Sequence, residues 1–217
     1  VLNTSTISGT LDVTAGGSIS QNGALTITGT PTFTVTAASS DILLDTAANN
    51  FSTTLVFTSN GNIRDLALRN TNAAAAVPSI PGGLRDLTLT FNNAAIAFPA
   101  MTLTGNLMAT SGGAMTQSGA LIVPGTTTLV AGTGNNITLD NIGNNFGTTA
   151  ITSGNNVMLR DANALILGMS TISGTLDVTT NGALTQSGAL DVTGLTTLAA
   201  GAANNIVLDN AANDFSA

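Results

Sequence analysis

The chain repeats itself, and this repetition limits the folds open to it more than any other feature. The ten residues STISGTLDVT stand at Ser5–Thr14 and again at Ser170–Thr179. A second motif, GAMTQSGAL at Gly113–Leu121, returns as GALTQSGAL at Gly182–Leu190. Each unit of such an array packs on its neighbours, so we expect one continuous domain rather than separate domains. We divide the chain into three copies, 5–100, 101–169 and an incomplete 170–217.

Three residue types return at fixed positions in these copies, and we predict that they mark structural repeat positions. The three phenylalanines are also expected to lie in equivalent environments. The positions are Gln21, Gln117 and Gln186; Phe51, Phe146 and Phe215; and Asp45, Asp140 and Asp209.

The first copy is longer than the second because it holds an insertion of about 26 residues between about Leu55 and Ala100. The insertion contains a shorter echo, in which IRDLALRNTN at Ile63–Asn72 resembles LRDLTLTFNN at Leu84–Asn93. These two segments begin 21 residues apart. A period of this size is typical of one coil of a solenoid.

Apolar and polar residues alternate over short segments, as in Ile137–Asp140, and this is the pattern of a half-buried strand. Asn-Gly and Gly-Gly pairs separate the segments and favour tight turns. No helical period is sustained. The 69-residue repeat divides into three coils of 23, with landmarks at Leu107, Leu129, Ile151 and Leu176. We therefore predict an all-β, right-handed parallel β-helix, or β-solenoid, of about ten coils of 21–26 residues.

Composition excludes several function classes. The chain has no His and no Cys, so it lacks the usual ligands of zinc and haem and the parts of a Ser-His-Asp triad. Four basic residues against eleven acidic ones, a net charge of −7, cannot follow a nucleic-acid backbone. No apolar run approaches the length of a membrane span. We expect no catalytic residue, no cofactor, no metal, no nucleic-acid partner and no membrane span.

The charged residues are the candidates for catalytic or ligand-binding sites. Asp45, Asp140 and Asp209 are separated along the array, so they do not favour the paired carboxylates of a polysaccharide lyase or hydrolase, the best enzymatic alternative. The pairs Arg64-Asp65, Arg85-Asp86 and Arg160-Asp161 indicate a solvated charge ladder at a coil corner. Adjacent strand residues point to opposite faces, so we expect bridges between coils, Arg64 with Asp86 or Arg85 with Asp65. Ligand recognition by these pairs is the less favoured interpretation.

The segments Gly182–Phe215 and Ser153–Gly168 resemble the repeat region of filamentous-haemagglutinin-like proteins, and Leu66–Asn106 is similar to a further part of such arrays. These are long bacterial exoproteins exported by two-partner or related type V secretion. The resemblance implies a β-helical fibre outside the cell or on its surface, built for adhesion or filament formation.

The function we predict is therefore a non-catalytic shaft segment of a secreted or cell-surface bacterial adhesin. The alternative is a subunit of a self-assembling extracellular filament or sheath with a mechanical or protective role. Partners are expected to be neighbouring coils, copies of the chain stacked end to end, and a receptor or glycan on a host or neighbouring cell. Val1–Ser8 has neither a basic start nor an apolar core, so no secretory leader is expected there.

Overall fold

The computed structural model of the chain describes residues 1–58 and 61–216. The described residues form short strands joined by turns, with no helix among them, and every strand pair is parallel. The strands are β1 Ser5–Ile7, β2 Leu11–Ala15, β3 Ile19–Ser20, β4 Leu25–Ile27, β5 Pro31–Val35, β6 Ser40–Leu44, β7 Asn50–Phe51, β8 Val56–Phe57, β9 Ile63–Asn70, β10 Asp86–Phe91, β11 Ile96–Phe98, β12 Met101–Thr102, β13 Leu107–Ser111, β14 Met115–Gln117, β15 Leu121–Val130, β16 Ile137–Leu139, β17 Asn145–Ser153, β18 Val157–Asp161, β19 Leu165–Leu167, β20 Ser170–Ile172, β21 Leu176–Thr180, β22 Leu184–Gln186, β23 Leu190–Val192, β24 Thr196–Ala199 and β25 Asp214–Phe215.

Strands inside each sheet pair with the strand one coil before and the strand one coil after, which is the defining property of a solenoid. The longest sheet has ten strands, in the order β22-β19-β17-β15-β13-β10-β9-β6-β3 with β12 attached to β15. A six-stranded sheet runs β11-β14-β16-β18-β21-β24. Three-stranded sheets, β1-β4-β7, β2-β5-β8 and β20-β23-β25, form the remaining faces.

One inward column of the ten-stranded sheet shows how many coils there are. Its rungs follow the strand register from one coil to the next, and they are Ile19, Ile42, Leu66, Leu87, Leu107, Thr127, Thr149, Leu167 and Gln186. A further bridge from Leu184 to Ile206 adds a tenth coil. The predicted β-solenoid of about ten coils is thus confirmed, and at about 4.8 Å per coil it is a rod about 45–50 Å long.

The coils are shorter than the sequence spacing indicated. Partner residues in neighbouring coils are 18 to 24 positions apart, the extremes being Thr148 with Ile166 and Ile42 with Leu66. Three steps from Leu107 along the inward column reach Leu167, sixty residues on. The expectation that three coils of 23 make one 69-residue repeat is therefore wrong. One repeat is three coils plus about nine residues, which carry the chain onto a different sheet.

A single apolar core runs the length of the rod. Along β5 and β6, buried and half-buried residues alternate strictly, because successive side chains of a strand point to opposite faces. Leu, Ile, Val and Phe fill the inside, and Thr, which is β-branched and suits an exposed strand, supplies most of the outside. Each inward residue rests on an inward residue of the next coil, so the core is continuous.

The insertion interrupts the regular stacking. Residues 71–85 contain no strand. Pro78 and Pro81 lie in this segment and have no N–H to donate to a neighbouring coil, so they cannot take part in a ladder on both sides. The chain instead forms a loop whose Val77 and Ile80 pack against the core, and it rejoins the ten-stranded sheet at β10.

Candidate functional site

The recurrent glutamine of each copy lies in a polar cluster with an asparagine inside the solenoid, which we call the clasp. In copy one, the Gln21 Nε2 donates to Asn49 Oδ1 at 2.9 Å, and the Asn49 Nδ2 donates to Gln21 Oε1 at 2.8 Å. The same Asn49 Oδ1 accepts from the Leu25 N–H, and its Nδ2 also donates to the Leu44 carbonyl oxygen at 2.8 Å. Gln21 is 5% exposed and Asn49 is fully buried. Every amide atom of the clasp is therefore paired, as buried polar groups require.

The clasp is built the same way in the other two copies. Gln117 and Asn144 exchange hydrogen bonds of 2.7 and 2.9 Å, and Gln186 and Asn213 exchange two of 2.9 Å. In each copy the glutamine Nε2 also donates to a glycine carbonyl two residues on, and the asparagine Nδ2 donates to a leucine carbonyl five residues back. The recurrent glutamine is thus a joint between consecutive coils.

Each clasp closes a short surface loop, which we call the clasp loop: residues 45–48, 140–143 and 209–212. The bond from the asparagine side chain to the leucine carbonyl joins the two ends of the loop. The recurrent aspartate is its first residue, half-buried in copy one and exposed in the others. In copy two the loop also presents Ile142, which is 71% exposed. The three aspartates start three separate loops along the rod and do not form one site.

The three phenylalanines follow the clasps but lie in three different sheets. Phe51 is in β7, Phe146 in β17 and Phe215 in β25. Their cross-strand partners are equivalent, since each pairs with the residue six positions after the clasp glutamine. Phe51 and Phe146 are 1% exposed, whereas Phe215 is 39% exposed. The three residues therefore share the position of their strand partner, but the prediction of equivalent environments is wrong, because the repeat is not a whole number of coils and Phe215 is far more exposed.

Two buried side chains each cap one of the phenylalanines, Phe51 and Phe146, from the coil above. The Phe51 N–H donates to Asn70 Oδ1 at 3.1 Å, and the Phe146 N–H donates to Asp161 Oδ2 at 2.6 Å. Asn70 and Asp161 are 2% and 1% exposed. Burial raises the pKa of Asp161 above its ordinary value, and the two backbone N–H groups that bond it oppose this effect only in part. Asp161 is therefore a carboxyl group held inside the core.

The caps were missed by the sequence analysis, which placed Asp161 in a charge ladder. A signal for them exists in the sequence, because Arg69–Ala73 and Arg160–Ala164 share the pattern Arg-Asn/Asp-x-Asn-Ala. In both, the cap side chain also accepts from the N–H two residues on, through the same Oδ1 in Asn70 and through the second carboxylate oxygen in Asp161. The pattern occurs twice, which is too few to distinguish it by eye in a chain so rich in Asn and Ala.

A column of charges runs along the outside of the ten-stranded sheet. Arg64 donates to both oxygens of Asp41 one coil earlier, at 3.0 and 2.6 Å. Arg85 likewise donates to both oxygens of Asp65, so one of the predicted pairings between coils is present. The hydrogen bond that Arg64 donates to Asp41 raises the pKa of Arg64, and the one that Arg85 donates to Asp65 raises the pKa of Arg85. The ladder continues to Asn106, whose N–H donates to Asp86 at 2.7 Å.

Two expectations about these charges are wrong. Arg64 pairs with Asp41 of the preceding coil rather than with Asp86. Neighbours in sequence also make contact, with Arg64–Asp65 at 3.2 Å and Arg85–Asp86 at 3.0 Å. The alternation of a strand fixes the direction of the Cβ atom only, and the long arginine stem lets the guanidinium lie between two carboxylates.

The geometry shows that residues 1–58 and 61–216 form a repeat structure of the parallel β-solenoid class, with one clasp per repeat. The chain belongs to the family described as repeats of unknown function (DUF5649), whose profile matches residues 1–58, 84–153 and 154–217. The unmatched residues 59–83 fall within the insertion predicted from the sequence between about Leu55 and Ala100. No curated protein matches the chain, and no solved structure matches it.

Among residues 1–58 and 61–216, no three potential metal-ligating His, Cys, Asp or Glu residues come together. Within the same residues, no helix has the length and apolar character needed to cross a bilayer.

Proposed function

We propose that this chain is a non-catalytic shaft segment of a filamentous-haemagglutinin-like bacterial adhesin, secreted or held on the cell surface. The observation that carries the proposal is the inward column of nine rungs from Ile19 to Gln186. A column without a break transmits its register from one end of the rod to the other, which is what an extended fibre needs. Length is then set by the number of repeats.

The clasp supports a mechanical role. Two coils of a solenoid are joined by backbone ladders and apolar contacts, and the clasp adds three hydrogen bonds between coils at one point of every repeat. Because the clasp partners are 27 or 28 residues apart, each clasp ties consecutive coils together. Regular reinforcement of this kind suits a rod that bears load along its length.

The position of the clasp loops supports a role in contacts with other molecules. Successive copies place their phenylalanines and loops on different sheets, so a fibre made of such copies presents its loops on more than one side. A receptor or glycan on a neighbouring cell would then meet several loops whatever the rotation of the fibre about its axis. Multiple weak contacts on one covalent shaft give strong attachment.

The proposal is tested on the native protein in its bacterium. An antibody raised against the chain should decorate fibres on intact, unpermeabilised cells in immunogold electron microscopy. On a denaturing gel the same antibody should detect one polypeptide much larger than 21.4 kDa. Fibres that dissociate into a small subunit on denaturation would support the filament or sheath instead. Label found only inside broken cells would overturn both.

A further inference from the structure

An apolar groove lies where the insertion meets the regular coils, and we call it the insertion groove. It has a volume of about 490 Å³, within the range of sites that bind ligands. One wall comes from the insertion loop, with Ile80 and Pro81. The other comes from two successive coils, with Met101, Ala120 and Ile122. Its remaining lining residues are also uncharged.

The floor of the groove is a strand edge that is paired on one side only. Strand β12 pairs with β15 through Met101 and Thr102. On that side, the Met101 N–H donates to Ala120 at 3.1 Å and the Leu103 N–H donates to Ile122 at 2.9 Å. The alternate residues, Ala100 and Thr102, direct their backbone groups to the other side, toward the insertion loop.

That second edge of β12 is free among the described residues. The N–H groups of Ala100 and Thr102 make no hydrogen bond to the chain, although the Thr104 N–H, two residues further on, donates to the Leu84 carbonyl oxygen at 3.0 Å. The cause lies in the insertion loop, where Pro78 and Pro81 prevent the preceding coil from supplying a strand. Elsewhere on the rod the same position is filled by a neighbouring coil.

We propose that the insertion groove accepts an extended segment of another protein chain, which adds as a strand to the free edge of β12. Donor and acceptor groups that repeat every second residue are the signature of an edge that another strand can join. The segment should be uncharged, because an ion would lose its water against Ile80, Met101 and Ile122 without finding a partner. Small and β-branched side chains suit both the groove and the strand conformation.

The strand that already pairs with β12 provides the probe. A capped hexapeptide copying Ser118–Val123, SGALIV, presents the backbone and side chains that β12 receives on its other edge. Hydrogen exchange of the whole chain, followed residue by residue by NMR, should show the amides of Ala100 and Thr102 slowed at least about tenfold by saturating peptide. A hexapeptide with proline at alternate positions lacks the donors and should have no effect.

Two substitutions of one residue separate strand addition from other modes of binding. Thr102→Pro removes the free N–H, and no internal hydrogen bond is lost because that group has no partner. Thr102→Ala removes only an exposed side chain and keeps the N–H. We expect Thr102→Ala to bind the peptide as the parent does and Thr102→Pro to bind at least about tenfold more weakly. Equal binding by the two variants would overturn the proposal.

A second variant provides an independent test if Thr102→Pro does not fold. Gly82 lines the groove, and a Cβ added there meets no atom within 4 Å, so Gly82→Leu adds an apolar side chain to the groove wall and leaves the sequence of β12 unchanged. This variant should melt like the parent and lose the peptide-induced protection of Ala100 and Thr102. Protection that persists in Gly82→Leu, or that appears only at residues distant from the groove, contradicts strand addition at β12.

Discussion

Gln21 and Asn49 lie one coil apart and exchange a pair of hydrogen bonds, each amide donating to the other across 2.8–2.9 Å. The arrangement depends on both ends of each amide, because the Asn49 Nδ2 donates to two acceptors while its Oδ1 accepts from two donors. Neither residue can be replaced by a carboxylate without placing one oxygen against another. This explains why Gln and Asn, rather than Glu and Asp, recur at these positions.

The first prediction is that Asn49→Asp destabilises the rod. The substitution removes both N–H groups of the Asn49 amide, and the new negative charge is buried beside their former acceptors, the Gln21 Oε1 and the Leu44 carbonyl oxygen. We expect the free energy of unfolding at pH 7 to fall by about 3 kcal/mol. The loss should shrink as the pH is lowered, since protonation removes the charge. Chemical denaturation followed by circular dichroism measures both effects.

Asn50→Asp is the matched control. Asn50 is exposed, and its Oδ1 accepts a hydrogen bond from the Asn72 Nδ2 at 2.8 Å. A carboxylate accepts that bond equally well, so the change in the free energy of unfolding should stay within about 0.5 kcal/mol. If both variants lose the same stability, the clasp has no special role.

The second prediction concerns two threonines in the leucine-lined inward column. Thr127 and Thr149 are neighbours in the register and are fully buried, and neither hydroxyl has a hydrogen-bond partner in the structure. Thr127→Val and Thr149→Val keep the shape and remove the unpaired polar group. Each should raise the free energy of unfolding by about 1 kcal/mol. Thermal melting of the single and double variants checks the size and the additivity.

Thr180→Val is the opposite case. Thr180 is also fully buried, but its hydroxyl donates to the Gly182 carbonyl oxygen at 2.7 Å. Removing the hydroxyl leaves that carbonyl unpaired, so this substitution should lower the free energy of unfolding by about 1 kcal/mol. A stabilising effect at Thr180 would show that burial alone, and not pairing, decides the sign.

Much of the fold could be predicted from the sequence because it depends on local patterns. Period-2 alternation specifies strands, and Asn-Gly or Gly-Gly pairs specify the turns between them, so the solenoid follows. The column of rungs from Ile19 to Gln186 follows from the same alternation. The contact between Arg85 and Asp65 was predictable too, since the 21-residue echo at Ile63 and Leu84 is the true coil length there.

The number of coils in a repeat was not predictable in the same way. The length of a sequence repeat is the length of the segment that was duplicated, whereas the length of a coil is the number of residues that complete one turn around the core. The two periods need not be multiples of each other, and Leu107 and Leu176, equivalent in sequence, lie in different sheets. The caps Asn70 and Asp161 were missed for a related reason, because their role depends on the residue one coil below.

The third prediction is that Asp161→Asn stabilises the protein near neutral pH. The pKa of Asp161 is raised in the folded state, so the folded chain binds a proton more readily than the unfolded chain does. Stability therefore falls as the pH rises from the ordinary value of 3.8 through the folded-state pKa. Asparagine avoids this loss, and it can donate to the Phe146 carbonyl as Asn70 donates to Phe51 at 3.0 Å.

We expect Asp161→Asn to gain about 1 kcal/mol at pH 7 from the added hydrogen bond and the absent charge. The difference from the parent should decrease as the pH is lowered toward 3.8. Melting temperatures of the two proteins at a series of pH values test this directly. A variant that is less stable than the parent at neutral pH would show that the charged carboxylate is favoured by its two N–H donors.

The fourth prediction concerns the close approach of two coils at Gly147. A Cβ atom at this position would meet the carbonyl oxygen of Pro124 in the coil below. Backbone cannot move aside as a side chain can, so Gly147→Ala should cost about 1–3 kcal/mol. Gly16 faces open space, and Gly16→Ala should leave the stability unchanged or raise it by up to about 1 kcal/mol. Equal effects would indicate that the coils are farther apart than the structure has them.

The last prediction tests the coil length by deletion. Val157 pairs with Leu176 one coil later, and both are buried. Deleting residues 157–175 therefore removes one whole coil and puts Leu176 where Val157 was, above β16. The clasps of Gln117 with Asn144 and of Gln186 with Asn213 remain intact. We expect this shortened rod to fold and to melt cooperatively within a few degrees of the parent, because stability is nearly a sum over coils and their interfaces.

Deleting one residue more, 157–176, gives the matched control. Asp177 then takes the place of Val157, and every following residue of that strand exchanges its inward and outward direction, since the side-chain period is two. This variant should lose several kcal/mol, by the burial of Asp177 and the exposure of Val178. The comparison requires only these two variants and a melting curve for each. If the two deletions behave alike, the register between β18 and β21 is not the one described, and the count of three coils plus nine residues per repeat fails with it.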